Sequence, residues 1–176
     1  MVNNLIIFIT GIVLVAAIAS IFVFKNKKKN YHNVAEILRE FLNYTQKEQV
    51  EGLIVLEQAD SLENFKRTGE KYYARVTPLG LAKIFGKDSE LKDGATVIEG
   101  NEITAINAVL AGYGGYYLNQ KQRIAAAITR FTDALAIEFS RGEIWVFMSG
   151  QKTKITPERL VAMLTFSGDK KQIHIN

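Results

Sequence analysis

The segment Glu90–Leu110, ELKDGATVIEGNEITAINAVL, sets Asp93 and Gly94 directly before a run of apolar and β-branched residues. Asp-Gly is common turn chemistry. A carboxylate followed by glycine at a strand edge can also bring a charge and a bare backbone close to a ligand. The dipeptide alone leaves both readings open. Lys121, Gln122 and Arg123 open an alanine-rich stretch, KQRIAAAITRF, and on their own they read as the solvated start of a helix. Tyr113, Tyr116 and Tyr117 crowd the loop AGYGGYYLNQ, where their rings can stack on a planar ligand or pack onto the core.

Several chemistries are missing from the chain. There is no Gly-x-x-x-x-Gly-Lys-Ser/Thr loop and no Gly-x-Gly-x-x-Gly after a strand. With no cysteine and only His32 and His174, neither a zinc cluster nor a Ser/His/Asp arrangement can be assembled. Both histidines read as surface residues. The net charge is +4, but setting aside Lys25, Lys27, Lys28 and Lys29 leaves 18 basic against 18 acidic residues. The basic character therefore belongs to one flank, and a nucleic-acid partner is not expected.

The elements that must position these residues follow from periodicity. Val34, Ile37, Leu38, Phe41 and Leu42 make one apolar helical face, with Asn33 as its expected N-cap. GLIVLE (52–57) reads as a buried strand, SLENFKRTG as a short helix or turn, and Tyr72–Val76 as an extended piece. Thr77-Pro78 predicts a helix start, running to Gly86. ATVI and EITAINAVL form a hairpin over Glu-Gly-Asn, and ALAIEF and EIWVFM form another over Ser-Arg-Gly. Trp145 in the last of these strands reads as core. Thr156-Pro157 starts a final helix, and KKQIHI reads as an edge strand. Interleaved helices with two tight strand pairs predict an α/β fold whose mixed β-sheet is flanked by helices.

The N-terminus differs in kind. Leu5–Phe24 is a mostly apolar run without charge, followed by KNKKK. As a helix it is roughly 30 Å long, enough to cross a bilayer. It lacks the basic start and the small-residue cleavage site of a signal peptide. One N-terminal transmembrane helix is expected, anchoring the chain in the cell membrane through residues 5–24. The lysine cluster places the following domain in the cytoplasm. The expected organisation is an anchor and basic flank (1–30), a globular domain (31–156), and a C-terminal helix and tail (157–176).

Five pieces recur in an order that resembles the diadenylate cyclase domain: GLIVLE, Thr68-Gly69, VTPLGLAKIF, SELKDGATVIEGNEITA and KQRIAAAITRFTDALAIEFS. That family shows an apolar Gly-Ala-Leu-Ile strand, Thr-Gly, a helix ending in Ile-Phe, Leu-His-Asp-Gly-Ala, Arg-His-Arg and Thr-Asp-Ala-Leu. The resemblance spans roughly residues 34–155, and a single-span, membrane-anchored class of these cyclases matches the N-terminus too. It implies condensation of two ATP molecules into cyclic di-AMP by a face-to-face homodimer, with a divalent metal, Mn or Mg. It gives Asp93 the catalytic and metal-binding role at the 3′-hydroxyl. Gly94, Ala95, Lys121, Gln122, Arg123 and Thr129 would contact the nucleotide; for Tyr113, Tyr116 and Tyr117, which no family motif covers, stacking on adenine and packing onto the core both stay open.

The chain also departs from the family pattern. Lys92 stands where the family has histidine, Lys121-Gln122 replace Arg-His, Thr129-Arg130 replace Ser-Glu, and Ser140-Arg141 replace an acidic Ser-Glu-Glu turn. A lysine keeps the positive charge but loses the bidentate fork of arginine. Two readings follow: a working cyclase, or a degenerate domain that binds nucleotide or partners an active cyclase without turnover. A membrane-anchored scaffold with no nucleotide site is the third.

Overall fold

The computed structural model describes residues 29, 31–110 and 119–166. Along them run α1 (His32–Glu48), β1 (Gly52–Leu56), α2 (Glu63–Lys66), β2 (Glu70–Arg75) and α3 (Pro78–Ile84). A 3-10 turn (Glu90–Lys92) leads into β3 (Ala95–Glu99) and β4 (Glu102–Ala108). After α4 (Gln120–Phe131) come β5 (Leu135–Ser140), β6 (Glu143–Met148), β7 (Gln151–Lys154) and α5 (Pro157–Phe166). The strands form one sheet in the order β2-β4-β3-β1-β5-β6-β7. Only β1 and β3 run parallel; the other neighbouring pairs are antiparallel. This is the mixed, helix-flanked sheet that the sequence predicts.

β1 is apolar at every position because both of its faces are covered. Ile54 and Leu56 face the layer of α1, α3 and α5, where Leu38, Phe41, Phe85, Leu160 and Leu164 pack. Leu53 and Val55 face α2 and α4, against Phe65, Ile124, Ala125 and Ile128. Each such side chain stabilises the fold by about 1.5–3 kcal/mol through burial. Phe41, Phe85 and Phe139 meet edge-on or tilted, with ring centroids 5.0–5.6 Å apart. Gly52 makes room for two of them: a Cβ there would lie 2.4–2.5 Å from the Phe85 and Phe139 rings.

Local chemistry explains most of the ends. Thr77 caps α3 by accepting the Gly80 N–H at 3.0 Å, with Pro78 at the first helical position. Arg141-Gly142 both take positive φ, 51° and 74°, as a two-residue hairpin turn needs. Asn33, the expected N-cap of α1, lies inside the helix; Tyr31 holds the cap position and makes no side-chain cap. Its buried ring packs in the core, and its hydroxyl sits on the carbonyls of Glu57 and Ile98. Fixing the chain's entry by that burial outweighs a cap worth about 1 kcal/mol.

One local expectation is corrected, and one strand was not foreseen. Trp145 is half-buried rather than core, with Lys152 and Lys154 Nζ 4.8 and 5.9 Å from its ring centroid. β7, Gln151–Lys154, is a strand of exposed residues with no apolar alternation to announce it. It forms because Ser149-Gly150, with φ of 49° and 75°, turns the chain back directly after β6.

At the C-terminal ends of β1 and β3 lies a charge cluster that sequence patterning does not reveal. Lys29 Nζ reaches Glu57 Oε1 at 2.7 Å and Glu99 Oε1 at 2.8 Å. Lys66 Nζ reaches Glu57 Oε2 at 3.0 Å and Glu99 Oε2 at 3.1 Å, and also pairs with Glu63. Burial pushes the Lys66 ammonium toward neutrality, but its three carboxylates prevail and hold its pKa above the ordinary value.

The apolar run 5–24, the tyrosine loop 113–117 and the segment 170–175 lie outside the described residues. Among the described residues no helix is long and apolar enough to cross a membrane.

Candidate functional site

The register of the sheet decides which candidates meet. Ala95 on β3 and Glu138 on β5 both pair with Leu53 on β1, so all three stand in one row across the strands. At about 4.8 Å between neighbouring strands, Ala95 and Glu138 are roughly 10 Å apart. Over the far end of this row sits the first turn of α4, where Gln122 Nε2 lies 3.5 Å from Glu138 Oε2. Asp93 and Gly94 directly precede Ala95. The Asp93 triplet and the Lys121-Gln122-Arg123 turn, distant in sequence, therefore share one end of the sheet. The charge cluster of Lys29 and Lys66 occupies the other.

Asp93 is exposed at the end of the 3-10 turn, whereas Gly94 and Ala95 are buried. Gly94 has no space for a side chain: a Cβ would lie 2.4 Å from the Asn107 carbonyl carbon and 2.6 Å from its Cα. The backbone beside the carboxylate is thus pressed against β4. Lys92, which replaces the family's histidine, turns its ammonium onto the carbonyls of Gly86 (3.3 Å) and Lys87 after α3. Its charge there secures the preceding loop.

Asn119 caps α4, its Oδ1 accepting the Gln122 N–H at 2.7 Å. Lys121 and Gln122 are half-buried and Arg123 is exposed. Two cations and the open amides of a 12-residue helix make a fitting cradle for phosphate. Thr129 is placed otherwise. It is fully buried two turns further along α4, its hydroxyl donating to Ala125 O (2.8 Å) and accepting from Gly150 N–H (3.2 Å). That hydroxyl ties α4 to the β6–β7 turn, its one proton used within the helix. Asp133, in the family's Thr-Asp-Ala-Leu piece, is also a tie: its carboxylate accepts the Ala59 and Asp60 N–H groups, and Asp60 accepts its own N–H.

Sequence reading missed Glu138. It is fully buried, and its Oε1 has no hydrogen-bond partner among the described residues. The available signal was an acid inside ALAIEF, a strand otherwise apolar. It also missed Asn107, a polar residue with φ of 53° inside β4.

The donor set fits a divalent ion that shares its coordination with a triphosphate. Asp93 contributes one exposed carboxylate, and no group of three or more His, Cys, Asp or Glu gathers among the described residues to hold an ion alone. Nucleotide-bound Mg²⁺ is commonly held by one or two carboxylates plus phosphates.

Residues 39–157 match the DAC family, described as DisA bacterial checkpoint controller nucleotide-binding. The cyclic di-AMP synthase CdaA of Bacillus subtilis is 29% identical over 136 residues, covering 73% of this chain and 50% of CdaA. A diadenylate cyclase of Listeria monocytogenes is 26% identical over 117 residues, covering 64% of this chain and 43% of its own. The chain thus spans about half the length of the curated relatives it matches. In three dimensions it resembles DacA from Staphylococcus aureus, with a TM-score of 0.70, 24% identity, and coverage of 75% of this chain and 93% of that one. A hypothetical membrane-spanning protein from Bacillus cereus shares the fold at a TM-score of 0.65 and 22% identity, over 80% of this chain and 71% of its own. On the family match over most of the sheet and its helices, the chain belongs to the DAC family of nucleotide-binding domains.

Proposed function

We propose that the chain is a membrane-anchored diadenylate cyclase that condenses two ATP molecules into cyclic di-AMP. The observation that carries this is the shared end of the sheet: the Asp93-Gly94-Ala95 triplet and the cationic first turn of α4 stand over one row of residues. Membership of the DAC family and cyclase relatives support the substrate.

In each half-reaction the 3′-oxygen of one ATP attacks the α-phosphorus of the other, and pyrophosphate leaves. The Asp93 carboxylate, exposed at this end of the sheet, would take the hydroxyl proton. Lys121, Arg123 and the α4 amides would hold the phosphates, and Gly94 and Ala95 would line the ribose, as the family resemblance implies. A divalent metal, Mn²⁺ or Mg²⁺, bound with the triphosphate supplies charge neutralisation at the phosphates. Because each ATP attacks its partner, two protomers must face one another across this end of the sheet. Residues 5–24 and the flanking lysines support a single span that leaves the domain in the cytoplasm.

A second reading is favoured by specific residues. Lys121-Gln122 and Ser140-Arg141 remove an arginine, a histidine and two acids from the family pattern, which suits nucleotide binding without turnover, or pairing with an active cyclase. Incubation with ATP and either metal, with mass-spectrometric detection of cyclic di-AMP, separates the two. Product supports the cyclase; ATP binding without product over a range of metals and protein concentrations supports the second reading.

A further inference from the structure

We propose that Asn107 is a positioning residue that fixes the Asp93 carboxylate from both sides. The inference deepens the reading of Asp93 as the working carboxylate and rests on it.

Asn107 lies on β4, directly beside the Asp93-Gly94 turn. Its Oδ1 accepts the Gly94 N–H at 3.2 Å, and its Nδ2 donates to Glu90 O at 3.3 Å. One side-chain amide thus bridges the residue just after Asp93 and the residue three before it. Its planarity sets the spacing between those two backbone groups.

The backbone of Asn107 is equally constrained. Ala95 pairs with Ala108 and Val97 with Ala105, so β4 carries one extra residue in a bulge that contains Asn107. The bulge puts φ of Asn107 at 53°, a left-handed value that asparagine tolerates better than most side chains. Two glycines pinch the bulge. Gly94 lies against the Asn107 backbone, and Gly69 leaves no room for a Cβ beside Ile106 O (2.3 Å) and Ala108 N (2.7 Å). Thr68 completes the seat, its hydroxyl accepting the Val109 N–H at 3.0 Å and donating to Phe65 O at 2.7 Å. The Thr68-Gly69 pair thus acts on the site through β4. A bulge residue serving only the strand would not need a side chain reaching both flanks of Asp93.

The test uses the full chain and two variants. Asn107→Gly keeps the positive φ and deletes both side-chain bonds; Asn107→Asp keeps an acceptor for Gly94 and loses the donor to Glu90. Amide hydrogen exchange at Gly94, followed by NMR, reads the clamp without requiring turnover. Asn107→Gly should exchange Gly94 about tenfold faster or more, with Ile54 in β1 unchanged, and Asn107→Asp should retain Gly94 protection. Cyclic di-AMP formation should then show kcat lowered about tenfold in Asn107→Gly, with KM for ATP within about threefold. Unchanged Gly94 exchange in Asn107→Gly overturns the clamp. Faster exchange with unchanged kcat overturns the positioning role. If Asp93→Asn is as active as the wild type, the Asp93 reading fails on its own account, and the exchange data still decide whether Asn107 holds the turn.

Discussion

Replacing Gly94 with alanine should damage the site, because the space its methyl group would need is filled by β4 backbone. The new Cβ would lie 2.4–2.6 Å from three backbone atoms of Asn107. Backbone cannot rotate away as a side-chain tip can, and ordinary contact begins near 3.4 Å, so the β3 end must shift by about 1 Å. That shift also stretches the 3.2 Å bond from the Gly94 N–H to Asn107 Oδ1. Overpacking and the lost bond together cost about 2–3 kcal/mol, a fall in Tm on the order of 10 °C. A displacement of about 1 Å at a catalytic carboxylate is worth roughly a hundredfold in rate. Gly100→Ala is the control, because its Cβ meets nothing within 4 Å and only its φ of 60° is strained. It should cost about 1 kcal/mol and leave turnover intact. Thermal unfolding followed by circular dichroism, with kcat/KM for ATP, reads both effects. Gly94→Ala with wild-type Tm and turnover, or with a cost no greater than that of Gly100→Ala, would refute the close approach.

Glu138→Gln should raise stability by about 1–3 kcal/mol, because it removes a buried carboxylate whose Oε1 has no partner among the described residues; a lower urea midpoint would show that the charge is paired. The Lys29–Glu57–Lys66–Glu99 cluster predicts a pH dependence of defined sign. Lys29 beside it, against the opposing effect of burial, holds the Glu99 carboxyl below its ordinary value of 4.5. Its contribution is therefore complete above about 4.5 and lost as pH falls through the lowered value; Lys66, raised, contributes fully below its ordinary 10.5 and loses that at higher pH. The stability difference between wild type and Glu99→Gln should shrink from pH 6 to pH 3, and a difference constant over that range would contradict the pairing.

Much of the fold was legible because it rests on local rules. GLIVLE could only be a covered strand, Thr77-Pro78 only a helix start, and Arg141-Gly142 set a hairpin. What escaped were features made by tertiary contact. β7 exists because of a turn, not because QKTK favours a strand. Tyr31 starts α1 through burial, where the sequence offers Asn33 as a cap. At the site, Asp93 and the α4 turn were legible as motifs, but their meeting at one end of the sheet depends on strand register. Thr129 was legible as a hydroxyl in a motif, but its tie between helix and turn depends on tertiary contact. Glu138 and Asn107 were polar residues inside strands, and in a single sequence such residues read as noise in the apolar pattern.

The central claim is that Asp93 carries the condensation of two ATP molecules. Its most direct test is cyclic di-AMP formation by the wild type and by Asp93→Asn, at matched Tm and with saturating ATP and Mn²⁺. The asparagine keeps the shape and exposure of the side chain and removes the charge that takes the proton, so general-base loss alone predicts a rate at least about a hundredfold lower. Equal turnover by the two proteins would contradict the account.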